Sequence, residues 1–208
     1  MVKCGRPAKG NESLSRDRLL DATLMLFLEH GYGNLKMESI AKEARVSMRT
    51  IYNEFGGKAG LFGALIRRCS DQFVASLPLD GTPEQTLEEF AEKFLYSITR
   101  PEVVRLRAIL IGESARFPDL AIQFYQQGPE RTLERLAQFF ATHQQTGYFS
   151  TDFEPRFLAE QFISCLRSEH VHQLQLGLIA TPDEQEIKHL ARQATRLFLY
   201  GCKNQMLM

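Results

Sequence analysis

In the stretch VSMRTIYNEF, residues 46–55, Arg49, Tyr52 and Asn53 stand at i, i+3 and i+4, with Met48, Ile51 and Phe55 on the other side of the same helical period. Such polar side chains can read nucleic acid. Arginine forks onto a guanine edge, asparagine pairs with adenine, and a tyrosine hydroxyl donates to phosphate. A solvated helix face shows the same residue types, so spacing alone leaves both readings open.

Other chemistry is poorly supplied. No Ser/His/Asp set, Gly-rich phosphate loop or pair of carboxylates can be assembled, which argues against an enzyme and implies no cofactor. His170 and His172 would lie about 200° apart on a helix and cannot chelate one metal ion together. Cys4, Cys69, Cys165 and Cys202 contain no CxxC pair, which argues against a zinc site and a disulfide framework.

A reading stripe needs helices behind it. Met37, Ile40, Ala41 and Ala44 follow i, i+3, i+4, i+7 and predict a short helix over 37–44. Ser47 can cap the next, over 48–55, which Gly56-Gly57 ends. Two short helices sharing Ile40, Ala41, Ala44, Val46, Ile51 and Phe55 make a helix-turn-helix, and the alanines allow a close crossing. An earlier helix is predicted from Ser15 to Glu29, stopped at Gly31, and a later one from Lys58 to Leu77. Thr82-Pro83-Glu84-Gln85 and Thr181-Pro182-Asp183-Glu184 both read as helix starts with Thr as cap. No alternating strand appears, and the expected fold is all-α.

The 208 residues are 44% hydrophobic and 24% charged, as in a globular chain with room for a real core. Residues 1–58 hold ten Lys or Arg against seven Asp or Glu, while the remainder is acidic by three charges. A basic end on an acidic body suits a polyanionic partner at that end. No apolar run approaches the roughly 18 residues of a spanning helix, and the N-terminus lacks a signal-peptide core. The expectation is a cytoplasmic protein without a membrane partner.

The segment GYGNLKMESIAKEARVSMRTIYNEFGGKAGLF resembles the N-terminal domain of the TetR (tetracycline-repressor) family of bacterial one-component regulators. Phe27, Gly31-Tyr32, Ile40-Ala41, Ala44, Val46-Ser47, Thr50, Ile51-Tyr52, Phe55, Lys58 and Leu61-Phe62 keep the family spacing without a gap. Three positions depart: Arg45 replaces the usual turn glycine, Lys36 stands where Thr or Ser is usual, and Glu54 replaces an aromatic or His. The resemblance implies DNA contacts from Ser47, Arg49, Thr50, Tyr52 and Asn53, with Lys58 at a phosphate. Arg6, followed by Pro7, resembles the minor-groove arms of some members, and a plain terminus fits as well.

Further on, GESARFPDLAIQFYQQGPERTLERLAQFF is similar to the C-terminal domain of the AefR-like subgroup, with Arg116-Phe117-Pro118, Phe124-Tyr125 and Gly128-Pro129 in register. The implied organisation is a DNA-binding domain over 1–58 and an effector-binding and dimerisation bundle over 59–208. Aromatic side chains crowd the latter, so a small, largely apolar effector is expected. Glu113, Arg116, Phe117, Phe124, Tyr125, His143, Phe162 and His170 are the candidate contacts, Gln144 being a further polar handle; the other reading of the rings is a filled core. Ile187, Leu190, Ala191, Ala194, Leu197, Phe198 and Gly201 form a seam that, with Leu158, Phe162 and Leu166, could build a four-helix homodimer interface; packing on the chain's own core is the alternative. The expected function is a sequence-specific regulator, a repressor released from a palindromic operator by its effector. A helical ligand-binding or adaptor protein with a purely structural helix-turn-helix is the other reading.

Overall fold

The computed structural model of the chain describes residues 9–75, 77 and 82–202. Eleven α-helices account for nearly all of them: α1 (Lys9–Asn34), α2 (Met37–Ala44), α3 (Met48–Phe55), α4 (Lys58–Val74), α5 (Pro83–Thr99), α6 (Pro101–Glu113), α7 (Pro118–Tyr125), α8 (Arg131–Gln145), α9 (Pro155–Leu166), α10 (Glu169–Gln175) and α11 (Glu184–Cys202). No strand occurs among the described residues, and no helix there is long and apolar enough to cross a membrane.

By its packing the chain divides into two compact units. One holds residues up to Ile66 together with Ile109–Phe124, and the other holds Arg67–Ala108 and everything from Tyr125. This differs from a single cut after residue 58, because residues 109–124 return to the first unit from far along the chain.

The first unit is built on α1. Leu19, Leu20 and Phe27 of α1, Ile40 and Ala44 of α2, Ile51 of α3 and Leu61 and Phe62 of α4 are all buried, and the Phe27 and Phe62 rings meet at 5.0 Å. Full burial of one such side chain contributes about 1.5–3 kcal/mol. α1 starts before the predicted Ser15 and continues past Glu29 to Asn34, with a break at Gly31, whose φ of 71° a side chain would resist.

In the second unit, α11 packs between α5 and α9, and α8 packs on α9. Its core is aromatic: Phe73, Phe90, Phe94, Phe139, Phe140, Phe149, Phe162 and Phe198 pack there, mostly edge-on or tilted. Pro118 opens α7 as expected, and the helix following it is interrupted by a π turn, Gln126–Glu130. Pro129 lacks the N–H that a regular α turn would use, which accounts for the widening.

Two helix ends differ from expectation. α4 stops at Val74 rather than Leu77. α11 starts two residues beyond its predicted Thr-Pro signal: Asp183 Oδ1 accepts from Glu186 N at 2.9 Å, and Glu186 Oε2 accepts from Asp183 N at 3.0 Å. That reciprocal pair satisfies two backbone donors and sets the start of the helix at Asp183.

Candidate nucleic-acid interface

α2 and α3 have the predicted bounds, and the turn between them carries the one non-glycine residue of positive φ among the described residues. Arg45 takes φ 55°, ψ 44°, the left-handed conformation expected where glycine is usual, while its neighbour's N–H, that of Val46, bonds to Ala41 O at 3.0 Å. A non-glycine residue there costs about 1–2 kcal/mol. Lys36 precedes α2 without a side-chain cap. Ser47 does cap α3: its Oγ accepts from Thr50 N at 3.0 Å and lies 2.8 Å from the Thr50 hydroxyl.

Ile51 is fully buried and Met48 and Phe55 partly so, which turns Arg49, Tyr52 and Asn53 outward together. Ser47 and Thr50 are exposed beside them. Glu54 is exposed too, but its carboxylate accepts from Arg16 at 3.0 Å, and the same guanidinium lies 5.3 Å from the Phe55 ring centre. An acid on this face is thereby offset from within the unit, at a stability worth of at most about 1 kcal/mol for so exposed a pair.

Lys58 is not placed as the resemblance implied. Its ammonium donates to the Tyr32 carbonyl and sits 4.3 Å from the Tyr32 ring centre. Burial lowers its pKa below the ordinary lysine value, and the Glu113 carboxylate opposes that shift. The side chain is committed inside the unit rather than held out to a phosphate. Glu113, expected as an effector contact, belongs to the same arrangement: its Oε2 accepts from Tyr32 N at 2.6 Å. The break at Gly31 frees the Tyr32 peptide from the helical ladder, and two side chains then satisfy both its polar groups. Phe117 packs edge-on to Tyr32 at 5.3 Å. A Cβ on Gly31 would stand 2.9 Å from Glu113 Oε1, and one on Gly33 3.1 Å from the Phe117 ring.

Glu113→Ala strands the Tyr32 N–H and should destabilise the protein by about 1–3 kcal/mol, read from urea unfolding by circular dichroism. An unchanged midpoint would mean that water replaces the carboxylate.

The remaining expected effector contacts do not converge within either unit. Arg116, exposed, stacks on Phe117 at 5.2 Å, and Phe124 is half-buried, both in the first unit. In the second, the exposed Tyr125 bonds to Glu130, which Arg156 grips with both nitrogens at 3.2 and 3.1 Å. Phe162 has no exposed surface, and His143 is buried against Phe139 at 4.5 Å, its pKa lowered by burial. These two are core residues. His170 instead lines an open hollow of about 490 Å³ with Gln185, Glu186, His189 and Leu190, while His172 is exposed.

The expected dimer seam divides in the same way. Leu158, Phe162, Leu166, Ala191 and Phe198 are buried in their own chain, because α11 needs that face to pack on α5 and α9. Leu190 and Ala194 are partly covered, whereas Leu197 is 71% exposed. Phe157 on α9 and Tyr200 on α11, which periodicity did not single out, are exposed as well. Arg6 lies outside the described residues.

Comparison with known proteins gives two matches along the chain. Residues 19–65 match "Bacterial regulatory proteins, tetR family", and residues 85–201 match "AefR-like transcriptional repressor, C-terminal domain". The HTH-type transcriptional regulator YvkB of Bacillus subtilis (strain 168) is 28% identical over 194 residues, covering 88% of this chain and 95% of that protein. The solved structure of the Flavonoid-responsive Regulator FrrA is 32% identical with a TM-score of 0.72, covering 93% of this chain and 99% of its own. A structure assigned to the same family from Mesorhizobium loti MAFF303099 has a TM-score of 0.77 at 21% identity, covering 95% and 100%.

Proposed function

The chain belongs to the TetR family of helix-turn-helix transcriptional regulators, a family of regulators and not of enzymes, and on that premise we propose that it is a cytoplasmic repressor that grips a palindromic operator through α3 and releases it on binding a small effector. The outward set of Arg49, Tyr52 and Asn53 on a capped, core-anchored α3 carries this reading. Arg49 and Asn53 read base edges, while Ser47, Thr50 and Tyr52 hold phosphates and set the register. Lys58 acts from behind, fixing the Tyr32 peptide at the break in α1.

A homodimer places two copies of α3 in major grooves one turn apart. Its surface is the outer flank of α11, with Leu190, Ala194 and Leu197, together with the exposed Phe157 of α9, in place of the buried half of the expected seam. The effector is a small, largely apolar molecule taken up by the second unit. The likeness to a regulator described as flavonoid-responsive supports an effector of aromatic size. It acts only through different affinities for the gripping and released states.

Arg49→Ala tests the reading. Specific binding should weaken by about 1–3 kcal/mol per half-site, with preference relaxed at one base pair in each. Fluorescence anisotropy on the operator and on single-base variants reads both effects. Unchanged affinity and unchanged base preference would take Arg49 off the reading face.

A further inference from the structure

Two guanidinium groups of the second unit have no acid paired with them among the described residues. Arg107 stands on α6 and Arg167 at the C-cap of α9. Both residues are half-buried, and the Nε of each is buried without a hydrogen-bond partner. Arg167 lies 5.9 Å from the centre of the Phe94 ring. Burial lowers the pKa of both groups, and the nearby charge of Arg107 lowers that of Arg167 further, to about 10.

Other arginines of the same unit are differently served. Arg131 meets Asp71 at 2.7 Å, Arg156 meets Glu130 at 3.1 Å, Arg192 meets Glu88 at 3.0 Å, and Arg100 pairs with Glu102. A buried charge without a partner opposes folding, and a second like charge beside it adds to the cost. Hydrophobic side chains would fill the same space with less penalty. The pair therefore contributes nothing evident to the fold, and perturbed charges of this kind gather at binding sites.

We propose that Arg107 and Arg167 together hold the anionic group, a carboxylate or sulfonate, of an otherwise apolar effector. The guanidinium fork matches a two-oxygen anion, and a ligand that brings the missing negative charge relieves the repulsion between the arginines. The nearly buried Phe94 ring backs the Arg167 guanidinium from the core side and leaves it to meet its anion from the other. Both residues keep partial exposure. This rests on the reading of the second unit as the effector-binding one and adds the charge of what it binds.

The test uses the full-length protein and two fluorescent probes that share a ring system: anilinonaphthalene sulfonate, which carries the anion, and phenylnaphthylamine, which lacks it. Wild type should bind the sulfonate at least about tenfold more tightly than the amine. Arg107→Met and Arg167→Met should each remove most of that preference, leave amine affinity unchanged and leave the melting temperature unchanged or higher. A sulfonate preference that is the same in all three proteins, or absent from wild type, overturns the proposal. If Arg167→Met does not fold, Arg107→Met decides alone. Operator binding is followed in the same titrations. Arginine-dependent sulfonate binding that leaves operator affinity unchanged upholds the anion site and removes the effector reading. Operator release that is equal in wild type and variants upholds the effector reading and removes the anion site.

Discussion

A chain carrying Leu197→Glu should fold as the wild type does and lose its hold on the operator. Leu197 is 71% exposed on α11, so in a single chain the glutamate meets water and strains nothing. In a two-fold pairing along α11 the substitution brings two like charges into one apolar contact, a cost with no compensating partner. Separated chains then bind half-sites independently. Linking two modest contacts typically strengthens binding by about 10²–10⁴-fold, and that factor should disappear. Sedimentation should show a folded monomer, and operator titration should show the loss. Ala194→Glu is a weaker instrument, because Ala194 packs partly on its own core and a charge there also disturbs the fold. A Leu197→Glu protein that still sediments as a dimer moves the interface to another surface.

Phe162→Ala should have its large effect on stability instead. The ring has no exposed surface and lies 5.0 Å from Phe198, 6.1 Å from Phe90 and 6.4 Å from Phe140. Truncating such a ring removes its transfer energy and leaves a cavity, together about 3–5 kcal/mol. Against a total stability of about 5–15 kcal/mol, that is enough to lower the melting temperature sharply. The outcome separates the possible roles of this residue. A ring lining a pocket or an interface would leave the unliganded single chain nearly as stable as before, so a loss under about 1 kcal/mol would return Phe162 to the surface.

The helix-turn-helix was legible because its signals are local. The i, i+3, i+4, i+7 pattern of α2, the serine before α3 and the glycines after it are each confined to one turn of chain, and the structure puts both helices where those signals do. Even the departure at Arg45 could be read, since the turn requires a left-handed residue whatever its type. α11 shows where such reasoning stops. Leu190, Ala191, Ala194, Leu197 and Phe198 share a period, but period does not say which part of a broad apolar stripe meets the chain's own core. Only α5 and α9, distant in sequence, settle that. The placement of Lys58 and Glu113 was illegible for a related reason. Each is an ordinary surface type, and their roles depend on a break in α1 that exposes one peptide 26 residues before the lysine and 81 before the glutamate.

That last separation bears on dissecting and synthesising the protein. The unit that carries α3 is discontinuous: Glu113 and Phe117, which complete it around Tyr32, leave the ribosome only after a long intervening stretch that belongs elsewhere. During translation the nascent head lacks the acceptor for the Tyr32 N–H and one of the rings packed on Tyr32, and closing so long a loop delays these final contacts. A fragment cut at Ile66 for operator studies would keep the whole of α2 and α3 and lack the two side chains that lock its first helix.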